Sequence, residues 1–147
     1  MTVEASRSKN MKKSILELSA LAEEAVLDGQ IVKVGSSEGT IVPCGVNENP
    51  LGICQRTVNA AKIAGYLADP QTEGATEIRC VVCVMGIAPV LAGGEVAMNA
   101  WVRSDANGRI VTATGDGTDN IIGICYDAAS GDGKNTHILV HRIPATD

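Results

Sequence analysis

Two cysteines have the spacing at which thiols bind metal ions or form redox pairs. Cys80-Val81-Val82-Cys83 has the two-residue gap of half a zinc site or of a redox dithiol. A structural zinc site needs four ligands, and the sequence offers no second Cys pair or His pair at finger spacing. The residues between the thiols favour a β-strand, in which side chains three apart point to opposite faces. We therefore expect buried strand packing rather than a metal or redox site.

Two histidines, His137 and His141, are four residues apart, the spacing of a metal pair on one face of a helix. The intervening Ile138-Leu139-Val140 favours a strand instead, and no Glu stands between the histidines as the zinc-protease motif requires. On a strand, both rings share one face. We expect them at the protein surface or in a subunit contact.

Two turn-like stretches resemble ligand-binding loops only in part. Asp116-Gly117-Thr118-Asp119-Asn120 begins like a calcium loop, but Ile121 stands where that loop needs Gly. Gly131-Asp132-Gly133-Lys134-Asn135 resembles a phosphate loop, but Asn135 replaces the Ser or Thr that would hold magnesium. Both stretches are expected to be solvated turns.

The sequence also offers little for catalysis. It contains no dinucleotide-binding fingerprint, and its carboxylates lie mainly in turns. We therefore predict no catalytic, cofactor-binding or metal-binding residues, no cofactor and no small-molecule substrate, so that the protein is not an enzyme. A small β-barrel enzyme with a triad assembled from distant positions is left open as a rival.

Composition limits the partners. The 147 residues carry a net charge of −5 and show no basic stripe in the body of the chain, which argues against nucleic-acid binding. No apolar run reaches membrane-spanning length, and the basic N-terminus lacks a signal-peptide core. Five cysteines, an odd number scattered through apolar runs, indicate reduced thiols and synthesis in the cytoplasm.

The core must be built from small side chains, because the chain has no Phe, one Trp and two Tyr. Burial is worth roughly 25 cal/mol per Å² of apolar surface, so a core of Val, Ile, Leu, Ala and Cys gains less per residue. Further burial between subunits would compensate. We expect a homo-oligomer.

The sequence predicts many short strands, separated by Gly, Asn, Asp and Pro. Asn107-Gly108, between Trp101-Val102-Arg103 and Arg109-Ile110-Val111, predicts a hairpin whose turn takes positive φ. Segments 15–25 and 57–68 have alternative helical interpretations. The predicted strands are 14–18, 30–35, 40–44, 51–56, 76–85, 95–103, 109–113, 121–126 and 136–143.

The chain divides into a polar, basic arm at residues 1–13, expected to be flexible, and a single β domain at 14–147. Within the domain, short segments recur in the same order at offsets of 64, 69 and 71 residues. We interpret them as a diverged internal duplication of residues 26–54 and 90–125 with loop insertions. The recurring segments are 26–32 and 90–96, 39–42 and 108–111, and 51–54 and 122–125.

The order of these elements resembles that of the small capsid decoration, or cement, proteins of tailed phages. The matching features are Gly and Val patterns spanning roughly residues 14–143, and the chain departs from them in its basic arm, in an insertion around 57–73 and in its cysteines. The segments that carry the resemblance are 15–18, 26–35, 51–54, 81–88, 92–96, 101–102, 107–108, 121–125, 128–131 and 137–141.

The resemblance implies an all-β fold, a β-sandwich or β-tulip-like barrel of short antiparallel strands with a flexible N-terminal arm. It implies a homotrimer on the outer surface of an icosahedral head that clamps neighbouring major capsid subunits, with no nucleic acid or membrane as partner. We expect the arm to contact the capsid through Arg7, Lys9, Lys12 and Lys13. Trp101 is expected to be an anchor in the core or in the trimer interface.

A ligand-binding or carbohydrate-binding β module, displayed on a virion or cell surface, is the alternative function. Such a module is expected to have a groove lined with aromatic side chains, and three Trp and Tyr residues in the whole chain count against it.

Overall fold

The computed structural model describes residues 13–59, 78–115 and 117–146. Within these ranges the protein is all-β without a helix, as predicted from the sequence. No helix in the described ranges is long and apolar enough to cross a membrane. The strands are β1 Lys13–Ala22, β2 Ile31–Val34, β3 Thr40–Pro43, β4 Gly52–Asn59, β5 Ile78–Leu91, β6 Trp101–Ser104, β7 Ile110–Thr112, β8 Ile121–Cys125 and β9 Asn135–Ile143.

Each of the nine predicted strands overlaps one observed strand, and four boundaries shift by three residues or more. The predicted strand 95–103 begins only at Trp101, because Asn99 adopts a positive φ of 71° and turns the chain. The strand predicted to end at 85 continues to Leu91. Segment 15–25 forms a strand to Ala22, so its helical alternative was wrong. Of segment 57–68, residues 57–59 extend β4 and the rest lies outside the described residues.

The first five strands close into a barrel. β1 pairs in parallel with β3, β3 pairs with β2, β2 with β4 and β4 with β5, all antiparallel after the first pair. β5 then pairs antiparallel with β1 along Ile78–Ile87, which returns the sheet to its first strand. We call this unit the N-terminal barrel.

The second half of β5 opens another barrel of the same plan. It pairs with β9, β9 with β8, β8 with β6 and β6 with β7. Ala92, directly after β5, then forms a parallel bridge to Ile110 of β7, and Gly93 donates its N–H to the Ile110 carbonyl at 2.8 Å. We call this unit the C-terminal barrel.

β5 is therefore shared by both barrels. At Gly86 and Ile87 it pairs with β1 on one edge and with β9 on the other, and Gly86 has a φ of 122° that L side chains rarely adopt. Pro89 has no N–H, and an N–H at its position would point to the same edge of β5 as that of Leu91, two residues on. The Leu91 N–H donates to the Gly29 carbonyl and not to β9, so Pro89 removes no hydrogen bond between β5 and β9.

The strand register repeats from one barrel to the other. From β1 to β4, each residue corresponds to a residue 69 to 71 positions later in the chain, which aligns β4 with β8. In the first half of β5 the offset to β9 is 56. The connection from β4 to β5 is therefore 15 residues longer than the connection from β8 to β9. The corresponding pairs are Val32–Gly52 and Val102–Gly123, Cys54–Val82 and Cys125–Ile138, Ala20–Cys80 and Val90–Thr136, and Ala22–Ile41 and Ala92–Ile110.

An ion pair recurs at corresponding positions as well. Lys33 of β2 pairs with Glu48 at 2.5 Å, and Arg103 of β6 pairs with Asp119 at 3.3 Å. Each carboxylate also accepts a backbone N–H two residues beyond the following strand, from Gly45 after β3 and from Thr114 after β7. The predicted match of segment 26–32 with 90–96, at an offset of 64, was wrong, because Val32 corresponds to Val102 at an offset of 70. The matches of 39–42 with 108–111 and of 51–54 with 122–125 agree with the register, and an origin by duplication stays a prediction.

Each barrel has its own apolar interior, filled from alternate positions along the strands. The N-terminal interior contains Val26, Val32, Ile41, Cys54, Cys80 and Val82. The C-terminal interior contains their counterparts Val96, Val102, Ile110, Cys125, Thr136 and Ile138.

The predicted hairpin joins β6 and β7. Its turn differs from the two-residue form that Asn107-Gly108 suggested, because only Gly108 has a positive φ, 70°. The Asp105 N–H donates to the Arg109 carbonyl, and the Asp105 carboxylate accepts the N–H groups of Asn107 and Arg109. The side chain of Asp105 therefore holds a longer turn with one left-handed glycine.

Gly52 and Gly123 occupy corresponding positions, and an added Cβ would overlap the carbonyl oxygen of Cys83 or Leu139 on the next strand. We predict that Gly123→Ala lowers the free energy of unfolding by about 1–3 kcal/mol through overpacking, measured by urea denaturation. Gly94→Ala is the matched control, because a Cβ there meets nothing within 4 Å. Equal stability of the two variants would refute this account of the glycine.

Candidate interaction surface

The face of the N-terminal barrel that meets the C-terminal barrel is a row of paired residues. Ile31, Ile53 and Cys83 lie opposite one another on β2, β4 and β5, so their side chains share the outer face of this barrel. All three are fully buried and belong to the apolar cluster of the C-terminal barrel rather than to that of their own. We call them the buried row.

Hydrogen bonds fix the end of the C-terminal barrel beside this row. The Ile31 N–H donates to the Gly108 carbonyl at 2.6 Å, and the Gln30 amide donates to the Asn107 carbonyl at 2.7 Å. Asn47 donates its N–H to the Ser104 carbonyl at 3.1 Å. The β6–β7 turn therefore covers this side of the N-terminal barrel.

The corresponding row of the C-terminal barrel faces outward. Trp101, Ile124 and Leu139 lie opposite one another on β6, β8 and β9, in the register of the buried row. Trp101 is 38% exposed, Leu139 is 40% exposed and Ile124 is partly buried. We call these three residues the exposed row.

A groove with a volume of about 440 Å³ adjoins the exposed row. Exposed Ile15 and Met85 line it with Leu139, and Arg142 and His141 add polar groups. The His141 ring stands edge-on to Trp101 with 5.8 Å between the ring centroids. Contiguous exposed apolar surface of this kind marks interaction sites in soluble proteins.

The β2–β3 turn, at residues 35–39, is held by one carboxylate. Glu23, just after β1, accepts hydrogen bonds from the Ser36 N–H and hydroxyl, the Ser37 N–H and the Thr40 hydroxyl. The bonds from Ser36, and then that from Thr40, lower the pKa of Glu23 to about 2.

A carboxylate also holds the β6–β7 turn of the C-terminal barrel, but the carboxylate and the glycine have exchanged positions. Its carboxylate comes from Asp105 in the turn, and Gly93 takes the place of Glu23. A Cβ at Gly93 would overlap the Asp105 carboxylate, just as a Cβ at Gly35 would overlap that of Glu23. One carboxylate and one glycine are therefore needed in each barrel, on opposite sides of the contact.

The cysteines are buried in strand packing, as predicted. The two that contact each other are Cys54 and Cys80, and not Cys80 and Cys83. Cys80 points into the N-terminal interior and Cys83 into the buried row. All five cysteines are buried and free of disulfides. A hydrogen bond between Cys54 and Cys80 lowers the pKa of Cys80, whereas burial raises the pKa of the Cys44 and Cys125 thiols. The contact between Cys54 and Cys80 crosses two strands and has no spacing signal in the sequence.

The two histidines lie on one face of β9 but in different surroundings. His141 is exposed beside Trp101, whereas His137 is buried, with its Nδ1 3.0 Å from Asp127. Burial acts to raise the pKa of Asp127, but hydrogen bonds from Thr136 and His137 outweigh burial and lower it. Asp127 thus ties the β8–β9 connection to β9.

The two turn-like stretches carry structural contacts. Asp119 accepts from Thr114 and pairs with Arg103, and Asp132 pairs with Arg109 at 2.6 Å. Asp116 lies outside the described residues. In the described part of the chain, no three His, Cys, Asp or Glu side chains form a possible metal site.

The remaining predicted site residues are only partly placed. Arg7, Lys9 and Lys12 lie outside the described residues, and Lys13 opens β1 opposite Ile87. Trp101 is not in either interior, so its predicted place in the core was wrong: on β6 it alternates with Val102, which fills the interior. Its role in a subunit interface stays a prediction.

The comparisons with known proteins give a fold. No family model matches the chain, and no curated protein matches it in sequence. Among solved structures, it is similar to the N base of the head fiber protein gp8.5 of bacteriophage phi29, with a TM-score of 0.62 and 12% identity. The similarity covers 90% of this chain and 98% of that one. At this identity it shows that the two chains share a fold.

The Glu23 clamp gives a pH prediction. Because the folded-state pKa of about 2 lies below the ordinary 4.5, the charged carboxylate stabilises the fold above pH 4.5. This stabilisation is lost as the pH falls toward 2. We predict that Glu23→Gln is less stable than the wild type at pH 7 and that the difference disappears near pH 2, measured by urea denaturation across this range.

Glu24→Gln is the matched control for charge, since Glu24 is the exposed neighbour of Glu23. A gap between wild type and Glu23→Gln that persists unchanged at pH 2, or an equal loss from Glu24→Gln, would contradict the clamp.

Proposed function

We propose that this protein is a structural component of a tailed-phage virion that binds the outer surface of the icosahedral head and stabilises the capsid by clamping neighbouring major capsid subunits. The observation that carries the proposal is the shared fold with the base of a phage head fiber protein, which extends over 90% of this chain and nearly the whole of that one. The order of sequence motifs supports the same assignment independently.

The surface chemistry supports binding rather than catalysis. The carboxylates of Glu23, Asp105, Asp119 and Asp127 each hold a turn or a strand end, and the cysteines are buried. Exposed apolar side chains gather around Trp101 and Leu139 instead. Such a surface is typical of a protein that functions by binding other proteins.

Clamping would stabilise the head by mass action. A module that binds only the mature, expanded shell lowers the free energy of that state and leaves earlier states unchanged. A homotrimer, the oligomer we propose, would multiply weak contacts through effective concentration. The subunits would be made in the host cytoplasm and added to the head after its shell has formed.

The arm is the proposed capsid contact. It carries Arg7, Lys9 and Lys12 and enters the barrel at Lys13, whereas the chain as a whole has a net charge of −5. Local positive charge on an acidic protein suits an acidic strip of the capsid, and an extended segment could add a strand to an exposed sheet edge.

Co-sedimentation with purified heads tests the proposal. The protein should pellet with expanded heads that lack it, saturate at a fixed ratio to the major capsid protein, and raise the temperature at which the heads release their DNA. Unexpanded heads are the control for the mature surface. A protein that stays in the supernatant with both kinds of head would contradict the proposal and favour a ligand-binding module.

Removing residues 1–12, which leaves β1 whole, should abolish head binding without changing the solution mass of the protein. Replacing Arg7, Lys9 and Lys12 with Gln should weaken head binding, more strongly at low salt because ion pairs are screened at high salt. The control replaces Arg79 and Lys134, exposed cations of the two barrels, with Gln. Full decoration by the truncated protein would show that the arm is not the contact.

A further inference from the structure

We propose that the exposed row of the C-terminal barrel binds the β2–β3 turn of a second copy of this chain, so that copies associate head to tail into a closed ring. The inference names the contact behind the self-association in the proposed function and rests on that part of it. Its evidence is the contact already present between the two barrels of one chain.

Each barrel has the same two surfaces. One is the row on its second, fourth and fifth strands, and the other is the end formed by its second strand and the turn that follows. Inside the chain, the row of the N-terminal barrel is covered by the end of the C-terminal barrel, through the carbonyls of Ser104, Asn107 and Gly108.

One copy of each surface has no such contact within the described residues. Trp101, Ile124 and Leu139 are the counterparts of Ile31, Ile53 and Cys83, yet no described part of the chain covers them as the buried row is covered. A third barrel placed by the same rule would cover them, and another copy of this chain begins with such a barrel.

The β2–β3 end of the N-terminal barrel suits a contact with the exposed row of a second copy. Val34 corresponds to Ser104, which is buried in the contact between the barrels, and Val34 is apolar and 63% exposed at the end of β2. The turn beyond it is held by the Glu23 clamp, as the β6–β7 turn is held by Asp105. Little ordering entropy would be lost when such a turn docks.

Charge at the rims agrees with this orientation. Glu38 is exposed in the β2–β3 turn, and Arg142 lines the groove beside the exposed row. Ile15 and Met85 extend the apolar surface around Leu139, so a docked turn would bury a continuous patch and not a single side chain. Aromatic anchors such as Trp101 supply much of the energy of such contacts.

A contact between two different surfaces is heterologous, and it produces either a closed ring or an open filament. The experiment uses this property. Leu139→Lys disables the row, and Val34→Lys disables the turn, while each variant keeps its other surface. Each variant alone should bind itself more than about 30-fold more weakly than the wild type and be monomeric by light scattering.

Mixed in equal amounts, the two variants should form a dimer of one copy of each and nothing larger, because only one intact row and one intact turn remain. Leu27→Lys, on the loop before β2, is the matched control and should keep the mass of the wild-type oligomer. A wild-type mass for Leu139→Lys, or a mixture that stays monomeric, would overturn the head-to-tail contact.

Fluorescence checks the same contact without a substitution, because Trp101 is the only Trp. Its emission should move to longer wavelength as the wild type is diluted and dissociates. Unchanged emission across dissociation would overturn the assignment of the row. A wild type that is monomeric throughout refutes self-association altogether, whereas failure to bind heads with the ring intact refutes only the capsid role.

Discussion

The fold depends on one strand, β5, that serves two barrels. Its first half closes the N-terminal barrel against β1 and β4, and its second half opens the C-terminal barrel against β9. Gly86 lies at the change of partners, with a φ of 122° that a Cβ would strain. Because neither barrel can close without β5, the barrels are expected to unfold as one cooperative unit, although their interiors are separate.

The shared strand also determines which surfaces remain free. It places the buried row of the N-terminal barrel beneath the end of the C-terminal barrel, and the second use of the same plan leaves Trp101 and Leu139 outside. A chain almost without aromatic residues gains little burial per core side chain. Its single Trp is 38% exposed, and the proposed contact with a second copy would bury it.

Local chemistry predicted the strands and one hairpin but left the other strand pairings open. Alternating Val and Ile between Gly and Asn clusters marked all nine strands, but Gly86 and Pro89 made β5 look as if it ended early. Nothing local shows that a strand changes partners midway, since pairing depends on residues far apart in the chain. Leu51-Gly52-Ile53-Cys54 and Ile122-Gly123-Ile124-Cys125 did signal the repeat, because Gly is required where the next strand's carbonyl comes close.

The candidate surface was harder to predict, because exposure is a property of the whole fold. Trp101 drew attention as a rare aromatic, but Ile124 and Leu139 look like any core residue until the register pairs them with it. The Glu23 clamp was missed for the same reason: its partners lie 13 to 17 residues away in sequence. Aligning the two halves of the sequence with an offset of 70 pairs Trp101 with Ile31, and in the fold the first is exposed and the second is buried.

Electron cryomicroscopy of expanded heads incubated with the protein would show directly whether it clamps the capsid. Added density is then expected on the outer surface, bridging neighbouring capsid subunits, and several copies should fit it with Trp101 turned toward the next copy. Bare heads, or density from single copies with Trp101 facing solvent, would contradict this expectation.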